Sequence, residues 1–187
     1  MPIRKIAAAA GAVQPVTLEQ ARAHCRVDFA DEDSLIGVFV SAATQAAEER
    51  MQRALAPTRY RLTVDRFPDA IELLPPVISV ESVKYIDPDG DQQTLDPQDY
   101  YLDAVSEPGY LVPAADRAWP CTQDRANAVE VEFTAGYPGS AVPEPIAAWI
   151  LLAVGDLYQN RSRSAEKPVI PQQFADSLLD PYKVWSV

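Results

Sequence analysis

The order of hydrophobic periods along the chain predicts an α+β fold. A helical body, made of two N-terminal helices and a long C-terminal core helix, carries an inserted antiparallel β region. Three observations support this. Apolar residues recur at three- and four-residue spacing ahead of Pro57, they alternate from Thr58 to Ala135, and helical spacing returns after Val142. The expected division is an N-terminal arm over residues 1–15, helices over 16–57, a β-rich insertion over 58–140, the core helix over 141–163 and a C-terminal segment over 164–187. Residues 16–163 are expected to form one folded unit.

Thr17-Leu18-Glu19-Gln20 has the pattern of a capping box, with a hydroxyl at the cap and Gln20 three residues on. A short helix with Leu18, Ala21 and Cys25 on one side follows, and Val27 to Ala30 breaks it. Asp31-Glu32-Asp33-Ser34 opens a longer helix, its acids at the positive end of the dipole. Leu35, Ile36, Phe39, Val40, Ala43, Ala47 and Met51 form its apolar stripe, and its many alanines permit close approach of a neighbour. Tyr60, Leu62 and Val64 then alternate with polar residues as in a half-buried strand. Further strands are expected at Ile71–Leu74, Val77–Ile86, Gln92–Leu95, Tyr100–Ala104, Tyr110–Val112 and Ala128–Ala135. Asp87-Pro88-Asp89-Gly90 makes a hairpin turn.

The core helix is expected over Val142 to Arg163, with Pro143, Glu144 and Pro145 at its start. Ile146, Trp149, Ile150, Ala153, Leu157 and Tyr158 share one face. Leu151, Leu152 and Val154 lie off it, so the helix is apolar nearly all round and is expected to be buried on more than one side. Its unbroken apolar run is about ten residues, short of the roughly twenty that cross a bilayer. Beyond a polar loop, Phe174, Leu178 and Leu179 fall on one face of a short helix. Asp180-Pro181 breaks that helix, leaving Tyr182, Val184 and Trp185 on an extended tail.

Seventeen prolines against seven glycines imply many rigid connections. Cys25 and Cys121 form neither a disulfide framework nor a metal-ligand spacing, so a reducing compartment is the default. The weak apolar stretch after Arg4 and Lys5 argues against a signal peptide. Of the net charge of −11, residues 61–140 hold −10, from fifteen acids and five bases. Such a segment repels nucleic-acid phosphates, which argues against gripping DNA but not against letting it slide past, and a solvated acidic surface that aids solubility is the plainer account.

Catalytic chemistry finds little support. His24 is the sole histidine, and Cys25 beside it points about 100° away on a helix. No nucleophile elbow, phosphate-binding loop or dinucleotide fingerprint is present. Asp87, Asp89 and Asp91 resemble the start of a calcium loop, but Gly90 precedes Asp91 and no glutamate closes the loop, so a hairpin turn explains them better. Helix capping accounts for Asp31, Glu32 and Asp33. No catalytic residue, metal ligand or cofactor is expected. The aromatic and aliphatic groups near the C-terminus suit insertion into a partner's groove, or folding back on their own core.

The run Val16-Thr17-Leu18-Glu19-Gln20-Ala21-Arg22-Ala23-His24-Cys25-Arg26-Val27-Asp28, then Asp31-Glu32-Asp33 and Leu35-Ile36, resembles the opening of tailed-phage head–tail connectors of the HK97 gp6-like and phiE125 gp8-like type. The similarity continues through Tyr60-Arg61-Leu62, Arg66-Phe67-Pro68, Pro75 to Val80, Ser82-Val83, Gln93-Thr94-Leu95, Trp119-Pro120, Phe133 to Tyr137, Val142 to Ile146, Tyr158 and Arg161. It covers most of residues 13–163.

The resemblance implies a structural adaptor, not an enzyme. About a dozen copies, twelve by the family pattern, would form a ring beneath the portal protein. The ring would extend the channel through which double-stranded DNA passes without sequence-specific binding. It would present a platform to a stopper or tail component, in the neck of a virion or phage-like particle assembled in the bacterial cytoplasm, with no membrane involved. Docking to the portal would fall to Phe174, Leu178, Leu179, Tyr182 and Trp185. Packing between subunits would fall to Phe39, Ala43, Ala47, Trp149 and Leu152. The competing readings are another neck or tail component, such as a stopper or terminator, and a carboxylate-based hydrolase using acids of residues 61–140.

Overall fold

The computed structural model describes residues 3–8, 13–138, 141–160 and 173–184. Helix and antiparallel sheet alternate in blocks, as expected of an α+β chain. The chain divides into two compact units, one from Met1–Val13 with Ala56–Gly139, the other from Gln14–Leu55 with Ser140–Val187.

The first unit is built on strands. β1 (Ile3–Ala8), β2 (Thr58–Val64), β4 (Val77–Ile86), β5 (Gln92–Thr94) and β8 (Val129–Ala135) form one sheet in the order β1-β2-β8-β4-β5. β3 (Ile71–Leu73), β6 (Tyr100–Asp103) and β7 (Gly109–Pro113) form a second in the order β3-β7-β6. Every pairing is antiparallel. β8 lies at the centre of the larger sheet because its alternation is the strongest in the chain. Val129, Val131 and Phe133 are fully buried, while Glu130 and Glu132 take the other face. Phe133 opposes Tyr60 in register and their rings stack at 5.7 Å. Cross-strand aromatic pairs of this kind contribute about 0.2–1 kcal/mol relative to an Ala–Ala pair. Leu62 and Val83 fill the same face, and Ile71, Leu73 and Leu111 bury the smaller sheet. Phe67 stacks on Trp119 at 4.7 Å and meets the edge of Tyr85 at 5.8 Å, which ties the loop before β8 to β4.

The turn after β4 is the expected hairpin. Oδ1 of Asp87 accepts from the N–H groups of Asp89 and Asp91 at 3.1 and 2.9 Å, and Gly90 supplies φ +95°. The other carboxylate oxygen of Asp87, Oδ2, accepts from Nε2 of Gln93 at 2.8 Å, so the side chain braces the turn.

β1 departs from the sequence expectation, which leaves residues 1–15 as an arm. Ile3 pairs with Leu62 and Ala8 with Thr58, with a bulge between Lys5 and Ala7. Its six residues are all exposed, so no alternation of apolar and polar side chains marks it. Backbone pairing alone makes it a strand.

The second unit is helical. α1 (Leu18–Cys25) starts from the predicted capping box: the Thr17 N–H donates to Oε1 of Gln20 at 2.8 Å, and the Gln20 N–H donates to Oγ1 of Thr17 at 3.2 Å. It ends where Arg26 turns left-handed at φ 57°. α2 (Asp33–Met51) buries Ile36, Val40, Ala43, Thr44, Ala47 and Met51. α3 (Glu144–Gln159) opens on Pro143 and Pro145 and buries Ile146, Trp149, Ile150 and Val154. Here the expected stripe is rotated. Val154, placed off it by the sequence reading, is buried, and Leu157, placed on it, is 38% exposed. An all-round apolar helix does not declare which side is innermost. α3 ends at Gln159, short of the expected Arg163: Asn160 leaves the helix at φ −107° and ψ 60°, and its N–H donates to the Asp156 carbonyl at 2.9 Å.

The acids at the start of α2 tie helices together instead of capping. Glu32, at the cap position, makes no side-chain cap and accepts from the Tyr158 hydroxyl of α3 at 2.5 Å. Asp33 pairs with Arg22 of α1 at 3.4 Å. α4 (Gln173–Ser177) and a 3-10 turn, Asp180–Tyr182, complete the unit.

Candidate subunit-packing and docking surfaces

The C-terminal segment is secured to the helical unit by a small set of groups. Leu179 is 1% exposed and Ala175 9%. The Val184 N–H donates to the Met51 carbonyl at 2.9 Å, and Nε of Arg53 donates to the Tyr182 carbonyl at 3.0 Å. Asp176 accepts from Nη1 of Arg50 and, at 3.3 Å, from the indole N–H of Trp149. The Arg50 guanidinium lies 5.2 Å from the centre of the Trp149 ring, a cation–π contact. One arginine therefore joins α2, α3 and α4.

The expected docking residues separate on this framework. Leu179 packs inside its own unit, whereas Leu178 and Tyr182 are half-buried. The Phe174 side chain and all of Trp185 lie outside the described residues. Tyr182 sits in the 3-10 turn and not on an extended tail, with Pro181 inside that turn.

The expected subunit-packing residues divide in the same way. Ala43, Ala47 and Trp149 are 2%, 0% and 7% exposed and face the interior of their own unit. Phe39 and Leu152 are half-buried and keep part of their apolar surface outward. The sequence reading missed Val38, which is 60% exposed on α2. Its signal was its position between the inward-facing Ile36 and Val40. It also missed Arg50 and Asp176, which meet across 126 residues of chain.

His24 is exposed, and a Cβ at Gly155 would lie 3.1 Å from its Nε2, so α1 and α3 run close there. Cys25 is partly buried, and that burial pushes its thiol up from the ordinary value, away from a reactive thiolate. Among the described residues no group of three or more His, Cys, Asp or Glu is placed to hold a metal. No helix among them is long and apolar enough to cross a membrane.

The outward face of the large sheet is ionic. Glu132 accepts from Nη2 of Arg61 at 2.6 Å and from Nη2 of Arg59 at 3.2 Å, and Nε of Arg61 lies 3.4 Å from Glu130. The Arg61 hydrogen bond, opposed by some burial and helped by the charges of Arg61, Arg59 and Lys84, holds the Glu132 carboxyl below its usual range. A carboxyl depressed in the folded state contributes stability above its unfolded pKa and loses it as pH falls. Glu132→Gln is therefore expected to flatten the loss of stability below about pH 4.5 relative to the parent chain. Urea melts at pH 3.5, 5 and 7 check this. An identical pH slope in both chains would remove Glu132 from the acid response.

Residues 15–86 match the family model described as phage gp6-like head-tail connector protein. The connector match spans α1, α2 and β2 to β4, where the resemblance read from the sequence is densest. No curated protein sequence matches the chain. Solved structures do. A chain of "Neck of empty GTA particle computed with C6 symmetry" is similar at TM-score 0.80 and 23% identity, covering 100% of this chain and 97% of that one. A chain of "Virion of native gene transfer agent (GTA) particle" gives 0.79 and 24% with the same coverage, and one of "Neck of native GTA particle computed with C12 symmetry" gives 0.74 and 22%, again over 100% and 97%. At these identities the likeness establishes a shared fold along the whole chain.

Proposed function

We propose that this chain is a structural head–tail adaptor, a subunit of a ring in the neck of a virion or of a phage-like particle such as a gene transfer agent. The observation that carries the reading is the full-length likeness to chains of gene transfer agent necks. The connector match at residues 15–86 supports it from the sequence side. The C6 and C12 symmetry of those necks supports closed self-association, with about twelve copies as the working number.

In this reading the chain works by contact, with no catalytic step. The ring sits beneath the portal, continues the DNA channel and offers its far side to a stopper or tail component. Helical packing between copies falls to Phe39, Leu152 and Val38, which keep apolar surface outward. Ala43, Ala47 and Trp149 serve the interior of their own unit. Residues 164–187 engage the portal. Leu179 anchors that segment, and Leu178 and Tyr182 offer side chains to the partner together with Phe174 and Trp185. Truncating a large anchor at an interface typically costs about 2 kcal/mol or more where it is a hot spot.

The test is co-sedimentation of the full chain with the portal of its own particle. Leu178→Ser with Tyr182→Ser is expected to weaken binding about tenfold or more while the unfolding midpoint stays near the parent's. Undiminished binding would remove the segment from docking.

A further inference from the structure

The proposed ring leaves open which surfaces of the strand-built unit meet, and the following rests on that ring reading. We propose that neighbouring copies meet head to tail through the two opposite edges of the five-stranded sheet, the basic β1 edge of one against the acidic β4–β5 hairpin of the next.

The sheet runs β1-β2-β8-β4-β5, so among the described residues the outer backbone edges of β1 and β5 have no strand beside them. Such edges pair or adhere readily unless something protects them; the bulge between Lys5 and Ala7 and the three-residue length of β5 blunt backbone pairing, so side-chain charge and apolar surface make the contact. β1 carries Arg4 and Lys5 and no acid, and β2 beside it adds Arg59 and Arg61. Arg4 stands directly opposite Arg61 in register, an unfavourable like-charge placement within one chain. Arg59 and Arg61 are engaged by Glu132 and Glu130 of β8. Arg4 forms no ion pair among the described residues. Ile3 and Ile6 on the same strand are 39% and 43% exposed, apolar surface that a neighbour would cover.

The far edge has the opposite character. β5 is Gln-Gln-Thr, wholly exposed and uncharged, and the turn leading into it carries Asp87, Asp89 and Asp91. The Asp87 carboxylate is occupied by the turn itself. Asp89 and Asp91 are exposed and form no ion pair among the described residues. Lys84, a base on β4, is paired in register with Thr94 and acts on Glu132.

Four interstrand steps of about 4.8 Å put the two edges about 19 Å apart, beyond a Debye length of about 8 Å. The opposite charges therefore cannot neutralise each other within one chain. A contact of one edge with the different edge of the next copy is heterologous, the type that closes into rings and not into two-fold dimers. Two features thus agree on a second copy as occupant: complementary charge at the β1 edge and at the turn of the β4–β5 hairpin, and exposed isoleucines on the edge strand.

The test uses full-length chains, folded by circular dichroism, in sedimentation velocity at about 50 mM salt with the particle's portal as template. Arg4→Glu with Lys5→Glu makes both edges acidic, and Asp89→Lys with Asp91→Lys makes both edges basic. Each double variant alone is expected to assemble about tenfold or more weakly than the parent. Their equal mixture is expected to recover assembly to within about threefold, because acidic and basic copies can then alternate. Parent-like assembly by either variant alone, or a mixture no better than its parts, would overturn the edge contact and leave the ring standing. A parent chain that stays monomeric at every concentration with the portal present would overturn both.

Discussion

Gly136→Ala is expected to destabilise the strand-built unit by about 3 kcal/mol or more. Gly136 follows β8 at φ +129°, a conformation that side chains beyond glycine rarely adopt. A Cβ there would lie 2.5 Å from both the carbonyl carbon and the oxygen of Ala56 and 2.7 Å from the Pro57 nitrogen. All three are backbone atoms, so no rotamer change relieves the overlap. The Gly136 N–H also donates to the Pro76 carbonyl at 2.9 Å, which fixes the chain where it leaves the sheet. Moving Gly136 would therefore disturb the entry to β2 and the start of β4 together. Urea unfolding followed by fluorescence measures the effect as a lowered midpoint. A midpoint within experimental error of the parent's would contradict the packing described.

Leu179→Ala is expected to cost about 2–4 kcal/mol, the range for truncating a fully buried leucine. The loss should be concentrated in the C-terminal segment. Asp176 and Arg50 are about half exposed, so their ion pair contributes little on its own. Leu179, at 1% exposure, is the apolar anchor of that segment. The Val184 amide, hydrogen-bonded to Met51, reports on its release. Its hydrogen exchange should accelerate about thirtyfold or more in the variant, while amides in the middle of α2 change less. Unchanged exchange at Val184 would mean that the segment is held by its polar contacts instead.

Both results bear on what the sequence alone makes readable. β8 and α2 declare themselves because one face of each is buried and the other is not, so their periods of two and 3.6 are written in residue type. The capping box at Thr17 is equally plain, since both of its hydrogen bonds are local. β1 is invisible for the complementary reason: all six of its residues are exposed, and a strand without a buried face leaves no alternation. The inner side of α3 is ambiguous because Leu151, Leu152, Ala153, Val154 and Leu157 are all apolar, and only the packed neighbours select Val154 over Leu157. Of the candidate surfaces, the apolar character of the C-terminal segment was legible, but the division of labour within it was not. Leu178 and Leu179 are identical side chains in adjacent positions, and tertiary packing alone makes one an anchor and leaves the other half-buried. The contact of Arg50, Trp149 and Asp176 joins three elements far apart in sequence, where single charged residues carry no pattern.

The adaptor reading is tested most directly by electron microscopy of the purified chain mixed with the portal of its own particle. The account predicts a closed ring of this chain stacked coaxially on the portal, with an open central channel and residues 164–187 at the junction. A chain that remains a compact monomer beside an undecorated portal would contradict it.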